Sequence, residues 1–184
     1  MLVEFSQNKS SGLSVILDYA SQAILNSAIR QNLLKPKQVV ENSTGVNAAS
    51  YVLVGPSLLE MNDEAVEASL AGRNYVYCQS LDSLNIYLAT AGSRHVHVIF
   101  DLDSFGGITE VYDGLRNVRD TYPKVRVIVV SGSFLVNDFD LERLPLCDAS
   151  LRWPVRSKTL EEAFHHADTN NKVWNKRLME QANA

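Results

Sequence analysis

Two acidic side chains follow a strongly apolar run in the middle of the chain. Residues 95–107 read HVHVIFDLDSFGG, in which the run ends at Asp101 and Asp103 and then turns through two glycines. A second apolar run, VRVIVV, ends at a Ser-Gly-Ser tripeptide that begins at Ser131. The carboxyl ends of strands in an open parallel sheet form the ligand crevice, so we expect these side chains at one edge. Carboxylates there could act as nucleophiles or hold a divalent cation.

Short β-branched runs alternate with longer helical patterns from residue 50 onward. This alternation is typical of a parallel sheet covered by helices on both faces. Most strand candidates are continuous apolar runs, as expected when both faces of a sheet are buried. The predicted strands span residues 51–54, 75–78, 96–100, 125–130 and 149–152. The sequence therefore predicts an α/β three-layer sandwich made of five β-α units.

The first part of the chain is an extension that this sheet does not require. Residues 13–17 have a strand pattern, residues 20–34 have a helical pattern that Pro36 ends, and the polar segment NSTGVN at 42–47 is typical of a linker. The extension could add a strand to the sheet edge or cover a partner-binding face. We predict three parts: a β-α extension over residues 1–48, the sheet domain over 49–168 and a C-terminal helix extension over 169–184.

The helical pattern that begins at Ser157 has a heptad spacing. Its apolar positions advance by four and three residues in alternation, with one asparagine among them, as in a coiled-coil seam. The seam comprises Leu160, Phe164, Ala167, Asn171, Trp174 and Leu178. In one interpretation the first three pack on the sheet and the rest of the helix frays. In the other, the helix pairs with a second copy, Asn171 fixes the register, and Leu160, Phe164, Asn171, Trp174 and Leu178 form an interaction surface.

Composition restricts the class of protein. The 184 residues include 17 basic and 21 acidic side chains, a net charge of −4, which excludes a polybasic nucleic-acid arm. No apolar run approaches the ~20 residues that cross a bilayer, and the N-terminus lacks the layout of a secretion signal, so we expect a cytoplasmic chain without membrane contact. Cys78 and Cys147 each stand alone and are interpreted as core thiols. We expect no metal and no cofactor.

The three strand ends resemble the receiver domain of bacterial response regulators, the switch of two-component systems. In that family a strand-end aspartate, here Asp101, accepts a phosphoryl group. A Ser or Thr that closes the next strand and a Lys-Pro that closes the last strand sense it; Ser131 and Trp153-Pro154 occupy these positions. The intervals of 30 and 22 residues between Asp101, Ser131 and Trp153 are similar to the family's. The resemblance covers residues 50–167 and implies a flavodoxin-like order of five parallel strands.

Two functional features of that family are replaced in this sequence. Its first strand ends in two acidic residues that hold Mg²⁺ with the acceptor, whereas here YVLV is followed by Gly55, Pro56 and Ser57. Magnesium needs oxygen ligands in near-octahedral geometry, and phosphoryl transfer depends on positioned charge, yet Trp153 replaces the lysine. The chain therefore resembles a degenerate pseudo-receiver. The pocket around the phosphoacceptor equivalent, Asp101, is expected to contain Asp103, Gly55, Pro56, Ser57, Ser131 and Trp153.

The resemblance implies a non-catalytic signalling module. Such a module would bind a protein partner or form a homodimer, with Trp153 as a candidate anchor, and would regulate transcription or another output. Nucleic acid would be contacted only through a separate output domain. One alternative is a conventional response regulator phosphorylated on Asp101. The other is a Mg-dependent phosphatase, because IFDLDS is similar to the first motif of haloacid-dehalogenase-type enzymes, with Asp101 as nucleophile and Asp103 as acid/base.

Overall fold

A computed structural model describes residues 34–36, 50–60, 64–91 and 95–183. Within these ranges the strands are β1 (Leu34–Pro36), β2 (Ser50–Val54), β3 (Tyr75–Cys78), β4 (Val96–Asp101), β5 (Arg126–Ser131) and β6 (Ala149–Arg152). The α-helices are α1 (Pro56–Glu60), α2 (Glu64–Leu70), α3 (Leu81–Ala91), α4 (Ile108–Thr121) and α5 (Ser157–Ala182). Short 3-10 turns lie at Asp103–Phe105 and Leu141–Arg143.

The strands form one sheet in the order β1-β3-β2-β4-β5-β6. Strands β2 to β6 are mutually parallel, and their spatial order is the flavodoxin-like one, which confirms the predicted fold class. Strand β1 pairs antiparallel with β3, with Leu34 opposite Cys78. This part of the extension therefore adds a strand to the sheet edge.

The predicted helix over residues 20–34 is wrong at its last position, because Leu34 lies in β1. Pairing with an exposed sheet edge outweighs the local helical pattern there. The remainder of that helix, the predicted strand at 13–17 and the predicted linker at 42–47 lie outside the described residues.

Helices cover both faces of the sheet. All six residues of β4 are buried, with Val98 and Phe100 in the cluster on one face and Ile99 in the cluster on the other. The first cluster includes residues of α3 and α4, such as Leu84 and Leu115. The second includes residues of α1, α2 and α5. Alternate burial on two faces is what makes the apolar strands continuous rather than alternating in sequence.

The connection between β5 and β6 departs from the predicted β-α repeat. Residues 132–148 contain only the short turn Leu141–Arg143 and no α-helix, so one of the five predicted units lacks its helix. Pro145 and several Asp and Asn residues make this segment a poor helix former. Instead, Asp138 and Ser150 form an antiparallel bridge through two N–H···O bonds of 2.8 Å, which closes the outer edge of β6 at that point.

A buried ion pair anchors this connection. The guanidinium of Arg119 in α4 donates to the two carboxylate oxygens of Asp148 at 2.7 and 2.9 Å, and both side chains are fully buried. Arg119 also donates to the carbonyls of Leu144 and Val125 at 3.0–3.1 Å. Arg119 thereby fixes the C-terminal end of the segment before β6 against helix α4.

Helix α5 runs unbroken from Ser157 to Ala182, across the boundary expected at residue 168, and does not fray. Its seam faces its own domain: Leu160 and Phe164 lie in the core, and the Asn171 amide donates to the carbonyls of Pro123 and Val125, both at 2.9 Å. Trp174 is buried against Arg119.

The expected pairing of this seam with a second copy is therefore corrected. Leu160, Phe164, Asn171 and Trp174 already have partners within the domain, and Leu178 is only partly exposed. Asn171 fixes the position of the helix against the loop before β5 rather than the register of two helices. No helix in the described part of the chain is long and apolar enough to cross a membrane.

Both cysteines lie in the core and are unpaired. Burial raises the pKa of the Cys78 and Cys147 thiols to about 12, so neither is a thiolate at neutral pH. This agrees with their interpretation as core thiols.

Candidate functional site

Asp101 is the last residue of β4 and lies at the carboxyl edge of the sheet, 6% exposed. Its Oδ1 accepts a hydrogen bond from the backbone N–H of Asp103 at 3.0 Å. Its Oδ2 accepts one from the hydroxyl of Ser104 at 2.5 Å. Both donors are placed by the 3-10 turn that follows the strand. Each carboxylate oxygen of Asp101 is therefore engaged by the turn that contains it.

The end of β2 lies beside this carboxylate. Gly55 has a φ of +124°, and a β-carbon placed on it would lie 2.9 Å from the β-carbon of Asp101. Two residues later, the N–H of Ser57 donates to the Ser104 hydroxyl at 3.2 Å, and the two hydroxyl oxygens are 2.7 Å apart. Pro56 is exposed at the start of α1. Residues 55–58 thus contribute a hydroxyl and close backbone contact, but no carboxylate.

The side chain of Asp103 is hydrogen-bonded to the end of β5 rather than to Asp101. Its Oδ1 accepts from the Ser131 hydroxyl at 2.5 Å, and its Oδ2 accepts from the N–H of Gly132 at 2.6 Å. The N–H of Ser133 donates to the Ser131 oxygen at 3.0 Å. The strand ends of β4 and β5 meet as predicted. They are joined by the Asp103 carboxylate, each oxygen of which accepts a hydrogen bond from the end of β5.

Trp153 follows β6 and completes the site. Its backbone N–H donates to the carbonyl of Ser131 at 2.9 Å, and the peptide bond to Pro154 is cis. Its side chain lines a cavity of about 50 Å³. The other lining residues are Ser57, Leu58, Asp101 and Asp103. The cavity has room for a few water molecules and contains no cationic side chain.

The donor set does not fit a magnesium ion. Magnesium binds through carboxylates and retained waters in a near-octahedral shell. Among the described side chains, two carboxylates lie at this edge, those of Asp101 and Asp103, and each of their oxygens accepts a hydrogen bond within the protein. Across the described ranges, no three His, Cys, Asp or Glu side chains cluster in a way that could hold a metal ion.

The structure brings together most of the predicted pocket and adds a residue that the sequence did not single out. Asp103, Gly55, Ser57, Ser131 and Trp153 all lie around Asp101, whereas Pro56 is turned to solvent. Ser104 was missed although it donates to Asp101 and contacts Ser57. Its position three residues after a strand-end aspartate is the local signal, because such hydroxyls commonly bond within turns.

Comparisons with known proteins yield a structural likeness only. No family model matches the sequence, and no curated protein matches it. A response regulator from Thermotoga maritima superposes with a TM-score of 0.51 at 20% identity, covering 66% of this chain and 98% of that chain. A response regulator receiver domain protein from Clostridium thermocellum gives 0.49 at 21% identity, covering 68% and 98%. The likeness to the Thermotoga protein confirms that this chain has a receiver-like fold.

Proposed function

We propose that this chain is a receiver-like signalling module that acts through contacts with a protein partner and does not depend on phosphorylation of Asp101. The observation that carries the proposal is that no cationic side chain among the described residues lines the cavity beside Asp101, whose carboxylate oxygens instead accept hydrogen bonds from Asp103 and Ser104. Phosphoryl transfer needs positive charge around the transferred group. The residues that line this cavity supply no such charge.

The sensing parts of a receiver are also engaged elsewhere. In a receiver, the hydroxyl that closes the strand after the acceptor would respond to the phosphoryl group. Here the Ser131 hydroxyl donates to Asp103 at 2.5 Å. The position of the family lysine is occupied by Trp153, an aromatic side chain suited to burial at a protein interface. These replacements favour signalling by binding over signalling by covalent modification, with transcription or another process as the regulated output.

The test is modification of the full chain by acetyl phosphate with and without Mg²⁺, followed by intact mass measurement. We expect no increase in mass, and no heat of Mg²⁺ binding by calorimetry. A competent receiver treated in parallel shows that the reagent works, and Asp101→Asn is the matched variant. A stoichiometric phosphoryl adduct that Asp101→Asn removes would overturn the proposal and favour a conventional response regulator.

One observation keeps the conventional alternative in the comparison: Asp101 and Ser131 do lie at adjacent parallel strand ends, as phosphorylation sensing requires. The phosphatase alternative is measured on the same samples with p-nitrophenyl phosphate. Mg²⁺-dependent turnover that disappears in Asp101→Asn would support it, and would equally contradict the proposal of a non-catalytic module.

A further inference from the structure

An open groove of about 580 Å³ lies next to the Asp101 cavity, between the β5–β6 connection and the start of α5. Its lining includes Leu135 and Val136 from the connection, Arg152 and Trp153 from the end of β6, and Arg156 just before α5. Trp153 also lines the smaller cavity, so this residue borders both spaces.

The apolar side of the groove is unusually exposed. Leu135 is 85% exposed and Val136 is 70% exposed, the two highest values among large apolar side chains in the described part of the chain. They are accessible because residues 132–148 form an extended connection with no α-helix over the sheet. Adjacent exposed apolar side chains with a polar rim are typical of an interaction site.

The rim of the groove is basic. Arg152 and Arg156 are exposed, and neither has a carboxylate partner among the described residues. No acidic side chain lines the groove. One guanidinium nitrogen of Arg152 donates to the carbonyl of Leu135 at 3.2 Å, which holds that side chain at the apolar edge. In a chain of net charge −4, this groove is a local concentration of unpaired positive charge.

Backbone pairing is not available to an incoming segment where the outer edge of β6 is already occupied. Asp138 pairs with Ser150, and the Asn137 side chain accepts the N–H of Arg152 at 2.8 Å. A ligand of this groove must therefore be held mainly by its side chains. Charge and apolar surface, rather than strand addition, decide what binds.

We infer that this groove binds an acidic, apolar peptide segment of a partner protein. Carboxylates of the segment pair with Arg152 and Arg156, whose guanidinium groups match carboxylate geometry. Its apolar side chains pack against Leu135, Val136 and Trp153. The inference rests on the proposed function and names the chemistry of the partner. Arginine and tryptophan are the residue types that most often dominate the affinity of protein interfaces.

The experiment measures binding of fluorescein-labelled octapeptides to the full chain by anisotropy. One peptide alternates glutamate with leucine, the second alternates lysine with leucine, and the third alternates glutamate with serine. We expect saturable binding of the first, and binding at least about tenfold weaker for the other two, since each lacks one of the two matching features.

Charge reversal locates the site. Arg152→Glu with Arg156→Glu should weaken binding of the glutamate-leucine peptide by at least about tenfold and favour the lysine-leucine peptide. Both side chains are exposed, and far-UV circular dichroism checks that the variant folds. The matched control reverses two exposed lysines of α5 outside the groove, Lys172→Glu with Lys176→Glu, and should bind as the unaltered chain does.

Three results would overturn the inference: no saturable binding at millimolar peptide, equal binding of the lysine-leucine peptide, or binding that the arginine variant leaves unchanged. None of these bears on whether Asp101 is phosphorylated. Conversely, an adduct on Asp101 would remove the proposed function while peptide binding in the groove stood. The two failures are therefore distinguishable.

Discussion

Gly55 and Asp101 approach so closely that a β-carbon on Gly55 would lie 2.9 Å from the β-carbon of Asp101. Gly55 stands where the receiver resemblance places an acidic residue at the end of the first parallel strand. Any side chain at this position would have to displace the backbone of one strand end. The absence of a side chain at position 55 is thus built into the packing of β2 against β4, and Ser57 and Ser104 meet beside the carboxylate.

Substitution Gly55→Ala should lower the free energy of unfolding by about 2–4 kcal/mol, because it adds a steric clash to a backbone conformation that alanine disfavours. Urea denaturation measures the change. Gly72→Ala is the control: its φ is +73°, but no atom lies within 4 Å of the added carbon, so about 1 kcal/mol is expected. Equal losses in the two variants would show that the close approach to Asp101 has no energetic weight.

Substitution Asp148→Asn should destabilise the fold by about 3–5 kcal/mol, because it leaves the buried Arg119 guanidinium without a counter-charge. Stability should be measured near pH 8, where the carboxyl is ionised. Burial raises the pKa of the Asp148 carboxyl to about 6, although the charge of Arg119 lowers it. The exposed pair Arg116–Asp120 provides the control, and Asp120→Asn should change stability by less than about 0.5 kcal/mol. A loss for Asp148→Asn as small as that of the control would contradict the role of the buried pair.

Substitution Asn171→Ala should cost about 1–2 kcal/mol, because it removes two hydrogen bonds to the carbonyls of Pro123 and Val125. Light scattering should give the same mass for this variant as for the unaltered chain, since the seam of α5 faces its own domain. Asn183→Ala, at the exposed end of α5, should change neither property. A lower mass with unchanged stability would instead assign Asn171 to an interface between copies.

His97 should make the protein less stable in acid. Burial lowers the pKa of this imidazole to about 4. The negative charge of Asp168 raises the pKa and the positive charge of Arg126 lowers it, but each effect is smaller than that of burial. Between pH ~6.5 and ~4 the unfolded chain binds a proton that the folded chain does not, so the free energy of unfolding falls as pH falls, by up to about 3 kcal/mol.

The variant His97→Phe keeps an aromatic ring beside Tyr51 and Phe164 but cannot bind a proton. Urea denaturation at a series of pH values should show a smaller loss of stability for this variant than for the unaltered chain across that window. His95→Phe, at an exposed position two residues earlier, should follow the unaltered chain. Parallel pH curves for His97→Phe and the unaltered chain would refute the assignment.

Much of the sheet could be predicted because strands that are buried on both faces consist of consecutive apolar residues. The strands at 75–78 and 149–152 agree with the structure at every residue, and β4 extends by one residue to Asp101. Topology then places Asp101, Asp103 and Ser131 at one edge, as predicted. These features depend on local pattern and on general rules of parallel sheets.

The remainder depends on distant contacts. Heptad spacing describes any helix that buries one stripe, so it could not distinguish packing of Asn171 on its own domain from packing on a second copy. The pairing of Arg119 with Asp148 joins residues 29 apart through an irregular connection that has no periodicity. Likewise, the engagement of Asp103 by Gly132 follows from the conformation of two loops, which spacing alone does not specify.

One residue, Trp153, lines both the cavity beside Asp101 and the basic groove, and this couples the two spaces thermodynamically. A peptide that favours one rotamer of Trp153 must alter the relative energies of side-chain arrangements around Asp101, and by reciprocity those arrangements must alter the dissociation constant of the peptide. The cavity beside Asp101 and the basic groove would then communicate through the packing of Trp153, with no chemical step between them.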